Sequence, residues 1–454
     1  MRALLVLVLC KLPCAATSTT PHAGVDIMAQ QLAQHGRQLE ALQTQLQALR
    51  VPVEGADKKN YNSSSSMSVN TQEVGPRADT DDTQLLDHLA LTGGAITLEP
   101  RTYRRRGTWR LTKNNTYVRG WAGLTKLVVE AADSTAAFSG ISISACPESG
   151  PGAADCVYSH QYSRDKPLSH VYIEGVAIEL VQNQSLDANG HCCGAGPAGN
   201  AAGGLGGASG MYGLVVTNVA YGHAVDITVS GAHFQGIGIV NSASFHLVRP
   251  VSTFCFSTDI AINDFSFDCS ITDALVTTDG WPTTTNWTGQ FKDDALAVQG
   301  YTRGNRIRGG TVRLGKVQST GGAACIKLSG TSDVIVSDVF CEGHMNSLTI
   351  DYSQYTDHPH SEIIVSNLIG VDPVANGINL WGSGFPAAGV PPYSRISIVS
   401  PILTQRKPIP SRRGLAGAYL CYADGVVISN ALITGFEVGV DLDSGPHPTA
   451  YSLS

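Results

Sequence analysis

The feature that most restricts this chain is a short hydrophobic motif that returns at near-constant spacing. "GLVVT" at Gly213, "GIGIV" at Gly236 and "DIAIN" at Asp259 begin 23 residues apart. "DALVTT" at Asp273 and "DALAVQ" at Asp294 are 21 apart, and "CIKLSG" at Cys325, "SLTID" at Ser347, "GINLW" at Gly377, "AYLCY" at Ala418 and "GVDLD" at Gly439 follow at wider intervals. Four or five alternating residues cannot bury an apolar side alone; they become stable only when neighbours stack on them. The spacing therefore predicts a parallel solenoid in which each unit supplies short strands and loops of variable length. The 49 glycines and only 15% charged residues suit such a turn-dense β protein.

Three regions precede the repeats. Residues 1–16 read as a signal peptide: Arg2, an apolar run from Ala3 to Cys10, then the small pair Ala15-Ala16. In 17–50, Met28, Leu32, Leu39, Leu42, Leu46 and Leu49 keep heptad spacing, which predicts a coiled-coil oligomerisation segment or an amphipathic helix packed on its own domain. Residues 51–77, with "NYNSSSSMSVNTQ", read as a flexible linker, and 78–454 as the solenoid. At its start, "DTDDTQLLDHLALTGGAITLEP" predicts a helix over 81–91 with Leu85, Leu86 and Leu89 on one face, stopped by Gly93-Gly94. A first coil has no preceding neighbour, so its open core needs such a lid.

The net charge of -7 is spread along the chain, which argues against a nucleic-acid surface, and no later run is long and apolar enough to span a bilayer. Beyond Cys10 and Cys14 the cysteines match no zinc spacing. Cys146 and Cys156 bracket a hairpin-like insertion and form the best candidate disulfide; Cys325 and Cys421, inside strand-like runs, read equally well as small core hydrophobes. Asn62, Asn114, Asn183 and Asn286 lie in sequons that permit glycosylation in a eukaryotic host.

The run "DTDDTQLLDHLALTGGAITLEPRTY", with "NNTYVRGWAGLTKLVV" after it, resembles the entry segment of pectate-lyase-like right-handed parallel β-helix proteins. That resemblance implies an all-β, right-handed parallel β-helix with an N-terminal capping helix. "ITDALV" and "KDDALAV" further resemble the N-T-D and D-D motifs of polygalacturonase-like glycoside hydrolases, which implies catalytic roles for Asp273, Asp293 and Asp294. Lys327 stands in what is left of an R-I-K element, and His344 is the nearest match to the family's G-H-G histidine; both are implied substrate contacts. Here Ile271 replaces the motif's Asn, and His344 lies 50 residues beyond Asp294. A coiled coil, a linker and a β-helix in series also resemble the layout of trimeric viral tailspikes, which implies a homotrimer.

Read from the residues themselves, carboxylates on successive coils gather about 4.8 Å apart on one surface. Glycosidic hydrolysis needs such a pair, one to protonate the leaving oxygen and one to activate the attacking group. The alternative is that these aspartates cap turns through backbone N–H groups. In "DGWPTTTNWTGQF", Trp281, Trp287 and Phe291 either stack on sugar rings or cover the base of their own loop. The sequence thus predicts a secreted or surface-displayed β-helix, extracellular or on a virion, that binds polysaccharide and cleaves it by carboxylate acid/base chemistry, hydrolase before lyase, without metal or cofactor. A non-catalytic glycan-binding or structural trimeric spike is the competing reading.

Overall fold

The computed structural model describes residues 81–130, 132, 138–144, 167–181, 210–232, 234–253, 255, 258–277, 294–313, 324–351, 361–380, 393–406, 416–421, 423–443 and 450–453. Residues 1–80 lie outside this set, as do Asp293, Trp281, Trp287, Phe291 and the Cys146/Cys156 pair, so the signal-peptide, coiled-coil and linker expectations lie outside it as well.

The described residues form one helix and thirty strands, and every strand pairing is parallel. Strands Ala95–Thr97, Thr102–Arg106 and Trp109–Leu111 open a first, a second and a third face, because later strands pair with the one three places before them, except where Ser270–Thr277, Arg306–Arg313 and Ala324–Glu342 each serve more than one face. The 19-residue strand Ala324–Glu342 passes through all three faces without a break. Parallel strands need crossovers, and here each crossover is the other two faces of the same coil.

Stacking sets the core. Leu214, Ile237 and Ile260 lie in register on the third face, continued by Leu296, Ile326, Leu348 and Ile378, all fully buried in one hydrophobic cluster. The helix α1 (Thr83–Thr92) packs on the first coil through Leu86 and Ala90, and the Trp109 Nε1–H donates to the Leu86 carbonyl at 2.9 Å. Asp81 Oδ1 accepts the Thr83 N–H, while Asp82 is held by Arg101. Gly93 and Gly94 follow the helix with φ of 64° and 72°, a conformation that costs a Cβ-bearing residue energy. Leu85, expected on the packed face, is exposed.

Two expectations change. Cys325 is bonded to Cys341, a disulfide across the coil interior, so it is not simply a core hydrophobe; Cys421 is buried in the core. The "DAL" phase also fails as a coil repeat. Leu275 pairs with Val251 and Thr311 on the second face, whereas Leu296 pairs with Ile260 and Ile326 on the third.

Candidate functional site on the third face

Asp273 and Asp294 accordingly stand on different surfaces. Asp273 is exposed, with φ of 54°, at the corner joining the first face to the second. Asp226, Arg249, Asp338, Asn367, Ser400 and Asn430 occupy the same left-handed corner on other coils, and Gly309 occupies it one coil after Asp273 with φ of 65°. Asp and Asn are the non-glycine residues best able to adopt that conformation. Asp273 therefore occupies a corner position where a left-handed backbone is required, away from Asp294.

Asp294 sits at the entrance of a third-face strand, almost fully buried. Its Oδ1 accepts the Ala324 N–H of the next coil at 3.1 Å. Asn346 Oδ1 does the same for the Asn376 N–H and Asn376 Oδ1 for the Ala416 N–H, each at 3.1 Å, so Asp294 belongs to a recurring cap. What sets it apart is its second oxygen. Lys327 Nζ lies 3.4 Å from Asp294 Oδ2 and 3.9 Å from Asp351 Oδ2.

The strand alternation explains why these groups meet. Ile326, Leu328, Leu348 and Ile350 point into the core, so Lys327, Ser329, Thr349 and Asp351 point outward as a two-by-two block, Lys327 beside Thr349 and Ser329 beside Asp351. The row through Lys327 continues one way as Ala297, Ala261 and Gly238 and the other way as Thr349 and Asn379. On the row through Ser329, Gln299 Nε2 donates to Asn263 Oδ1 at 3.0 Å, and Asn263 Nδ2 donates to Gln235 Oε1 at 2.9 Å. Gly238 makes room for this amide chain, since a Cβ there would come within 2.7 Å of Gln235 Oε1.

The outer side of this face differs from the other two. Ile335 and Ile364 on the first face, and Leu275, Ile402 and Leu432 on the second, are exposed, whereas Asn263, Ser329 and Thr349 on the third are buried. Among the described residues, the hydroxyls of Ser329 and Thr349 have no hydrogen-bond partner. A buried hydroxyl left unpaired costs on the order of 1–3 kcal/mol, so the face holds polar capacity that the fold does not use. Lys327 and Asp351 stay accessible, with side chains 16% and 14% exposed.

Of the residues expected from sequence, Asp294 and Lys327 come together and Asp273 does not join them. His344 is buried where the second face turns into the third, and its carbonyl accepts the Val374 N–H at 2.6 Å. Asp351 was missed, although the outward phase of "SLTID" identifies it once Leu348 and Ile350 are placed in the core. The segment 278–293, with Trp281, Trp287, Phe291 and Asp293, connects the second face to the third immediately before Asp294.

The described fold is a right-handed parallel β-helix. No family model matches the chain, and no curated protein matches it in sequence. Among solved structures it is similar to a point mutant of the tailspike protein of E. coli bacteriophage HK620 in complex with a pentasaccharide, at TM-score 0.59 and 12% identity, covering 84% of this chain and 63% of that one. It is also similar to PfbA, a surface adhesin of Streptococcus pneumoniae, at TM-score 0.52 and 11% identity over 82% of this chain and 87% of that one. The A-module of the Azotobacter vinelandii mannuronan C-5 epimerase AlgE4 follows at TM-score 0.46 and 14% identity, over 82% and 96% of the two chains. The chain spans less than two thirds of the tailspike's length.

Proposed function

We propose that this chain is a glycan-binding β-helix protein of a virion or cell surface, and that the glycan lies against the outer side of the third face around Lys327. The observation that carries the reading is the buried block of Lys327, Ser329, Thr349 and Asp351, with two unspent hydroxyls beside an accessible ammonium and carboxylate. Sugar hydroxyls both donate and accept, so they satisfy such groups in pairs. The tailspike neighbour, solved with a pentasaccharide, supports the reading by analogy of fold. Trp281, Trp287 and Phe291 are proposed to add stacking contacts from the segment that enters the face at Asp294. The 17–50 segment is proposed to assemble a homotrimer, and residues 1–16 to direct secretion.

Cleavage is the second reading, and one observation favours it. Asp294 and Asp351 both reach Lys327 Nζ, so their nearest oxygens are no more than about 7 Å apart, close enough for two carboxylates to act on one glycosidic bond. In that reading one of the two donates its proton to the glycosidic oxygen while the other activates the attacking water. The acid/base pair is then Asp294 with Asp351 in place of Asp273.

The test is to incubate the full chain with a panel of plant, algal and microbial polysaccharides, following binding and new reducing ends separately. Binding lost in Thr349→Val, with melting unchanged, supports the site. New reducing ends that disappear in Asp351→Asn support cleavage, and binding without them leaves the chain a binder. Binding that survives both substitutions unchanged would move the glycan elsewhere.

A further inference from the structure

Resting on the glycan reading above, we infer the substrate class of the third-face site: it takes uncharged, hydroxyl-rich sugar units and discriminates against uronates. Among the described residues, Arg110 stands on the same outward row six rungs toward the N-terminus, and around the block itself the face carries the carboxylates Asp294 and Asp351 and one cation, Lys327. Its ammonium already lies within 4 Å of two carboxylates. A uronate docking there would bring a third carboxylate into the same few ångströms and compete with two already in place, one of them, Asp294, held by the Ala324 N–H. Like charges at that distance repel strongly where water is scarce.

The other polar groups that the face sets around this block are neutral. Gln235, Asn263 and Gln299 form the amide chain, Ser329 and Thr349 supply unpartnered hydroxyls, and Asn376 Nδ2 bonds Asn379 Oδ1 at 3.4 Å. Amides and hydroxyls recognise sugar hydroxyls by exchanging donors and acceptors and give a carboxylate no compensating charge. Cations are present on the other faces: Arg306 and Arg308 lie on the first, and Arg313 on the second, beside Glu342. The inference reverses the expectation attached to the polygalacturonase-like motifs, whose substrates are uronates. Lys327 becomes a positioning residue that holds two carboxylates, not a receptor for an acidic sugar.

The experiment uses the full chain and an array of surface glycans in matched forms: uronate-containing polysaccharides, their carboxyl-reduced neutral counterparts, and natively neutral glycans. The expected result is binding confined to neutral members and little changed by added salt, because no ion pair with the ligand is made. Asp351→Asn should then raise uronate binding by about tenfold relative to neutral binding, since it removes one of the two charges that occupy Lys327. Binding confined to uronates, weakened by salt and lost in Lys327→Met, would overturn the inference while leaving the glycan reading intact. An array with no binding at all would overturn the glycan reading, and the substrate class with it.

Discussion

Replacing Lys327 by Met is the sharpest perturbation of the site. Met keeps most of the aliphatic stem and removes the ammonium that two carboxylates share at 3.4 and 3.9 Å. Asp294 is 1% exposed and Lys327 16%, so the contact is a buried ion pair and not a screened surface pair. Removing one partner of a buried pair costs about 3–5 kcal/mol, because the other charge stays behind in a poor solvent. Asp351 is less deeply buried and regains some hydration, which places the expected loss near the lower end, about 3 kcal/mol. The diagnostic is the rescue. Asp294→Asn keeps an amide oxygen to accept the Ala324 N–H and removes the charge, so adding it to Lys327→Met should recover about 2 kcal/mol. Urea unfolding of the wild type, both single variants and the double variant, with unchanged slopes, measures the coupling. A loss below about 1 kcal/mol for Lys327→Met, with no rescue, would mean the three groups are solvated and the electrostatic account of the site is wrong.

Other consequences follow from the same coordinates. Asp273→Gly should leave glycan binding and any cleavage unchanged and shift stability by about 1 kcal/mol or less, because the position is a left-handed corner that glycine accepts; loss of activity at wild-type melting would return Asp273 to the site. Burial, partly opposed by Asp268 and reinforced by His223 and Arg306, holds the His246 imidazole below its ordinary value of 6.5. The unfolded chain therefore binds that proton more readily, and stability should fall as pH drops below 6.5; His246→Gln should flatten this part of the melting profile, and an unchanged slope would assign it to other groups. Deleting residues 17–77 should convert an oligomer into a folded monomer, and equal masses by light scattering for the two proteins would rule out the coiled coil as the assembly element.

The sequence reading of the third face worked where local pattern and global fold coincide. "GLVVT", "GIGIV" and "DIAIN" align residue for residue, since the loops between those coils are short enough to keep the 23-residue period. "DALAVQ", "CIKLSG", "SLTID", "GINLW", "AYLCY" and "GVDLD" fall on the same face although the intervals vary, because inward apolar residues identify a rung whatever loop precedes it. "DALVTT" is the exception, and it misled for a physical reason. Its Leu275 is an outward, exposed residue of the second face, while the Leu296 of "DALAVQ" is inward and buried, so identical letters carried opposite phase. A run of three residues cannot report which of three faces it occupies; only the partners one coil away can.

The same limit hid Asp351. In the sequence the carboxylates pair by the shared letters "DAL" one coil apart, but a solenoid gathers residues by rung and phase, which identical letters do not fix. Asp294 and Asp351 are 57 residues apart and joined through Lys327, which lies on the rung between theirs. A charged residue placed outward on one rung with oppositely charged neighbours on the rungs before and after it is the pattern that locates such a site, and it becomes readable as soon as the inward residues Leu296, Ile326 and Leu348 fix the register. The two signals in the sequence that pointed there were Asp294 of "KDDALAV" and the Ile326-Lys327 remnant. The phase of the remnant holds even though the uronate chemistry associated with that motif does not suit the charges around it.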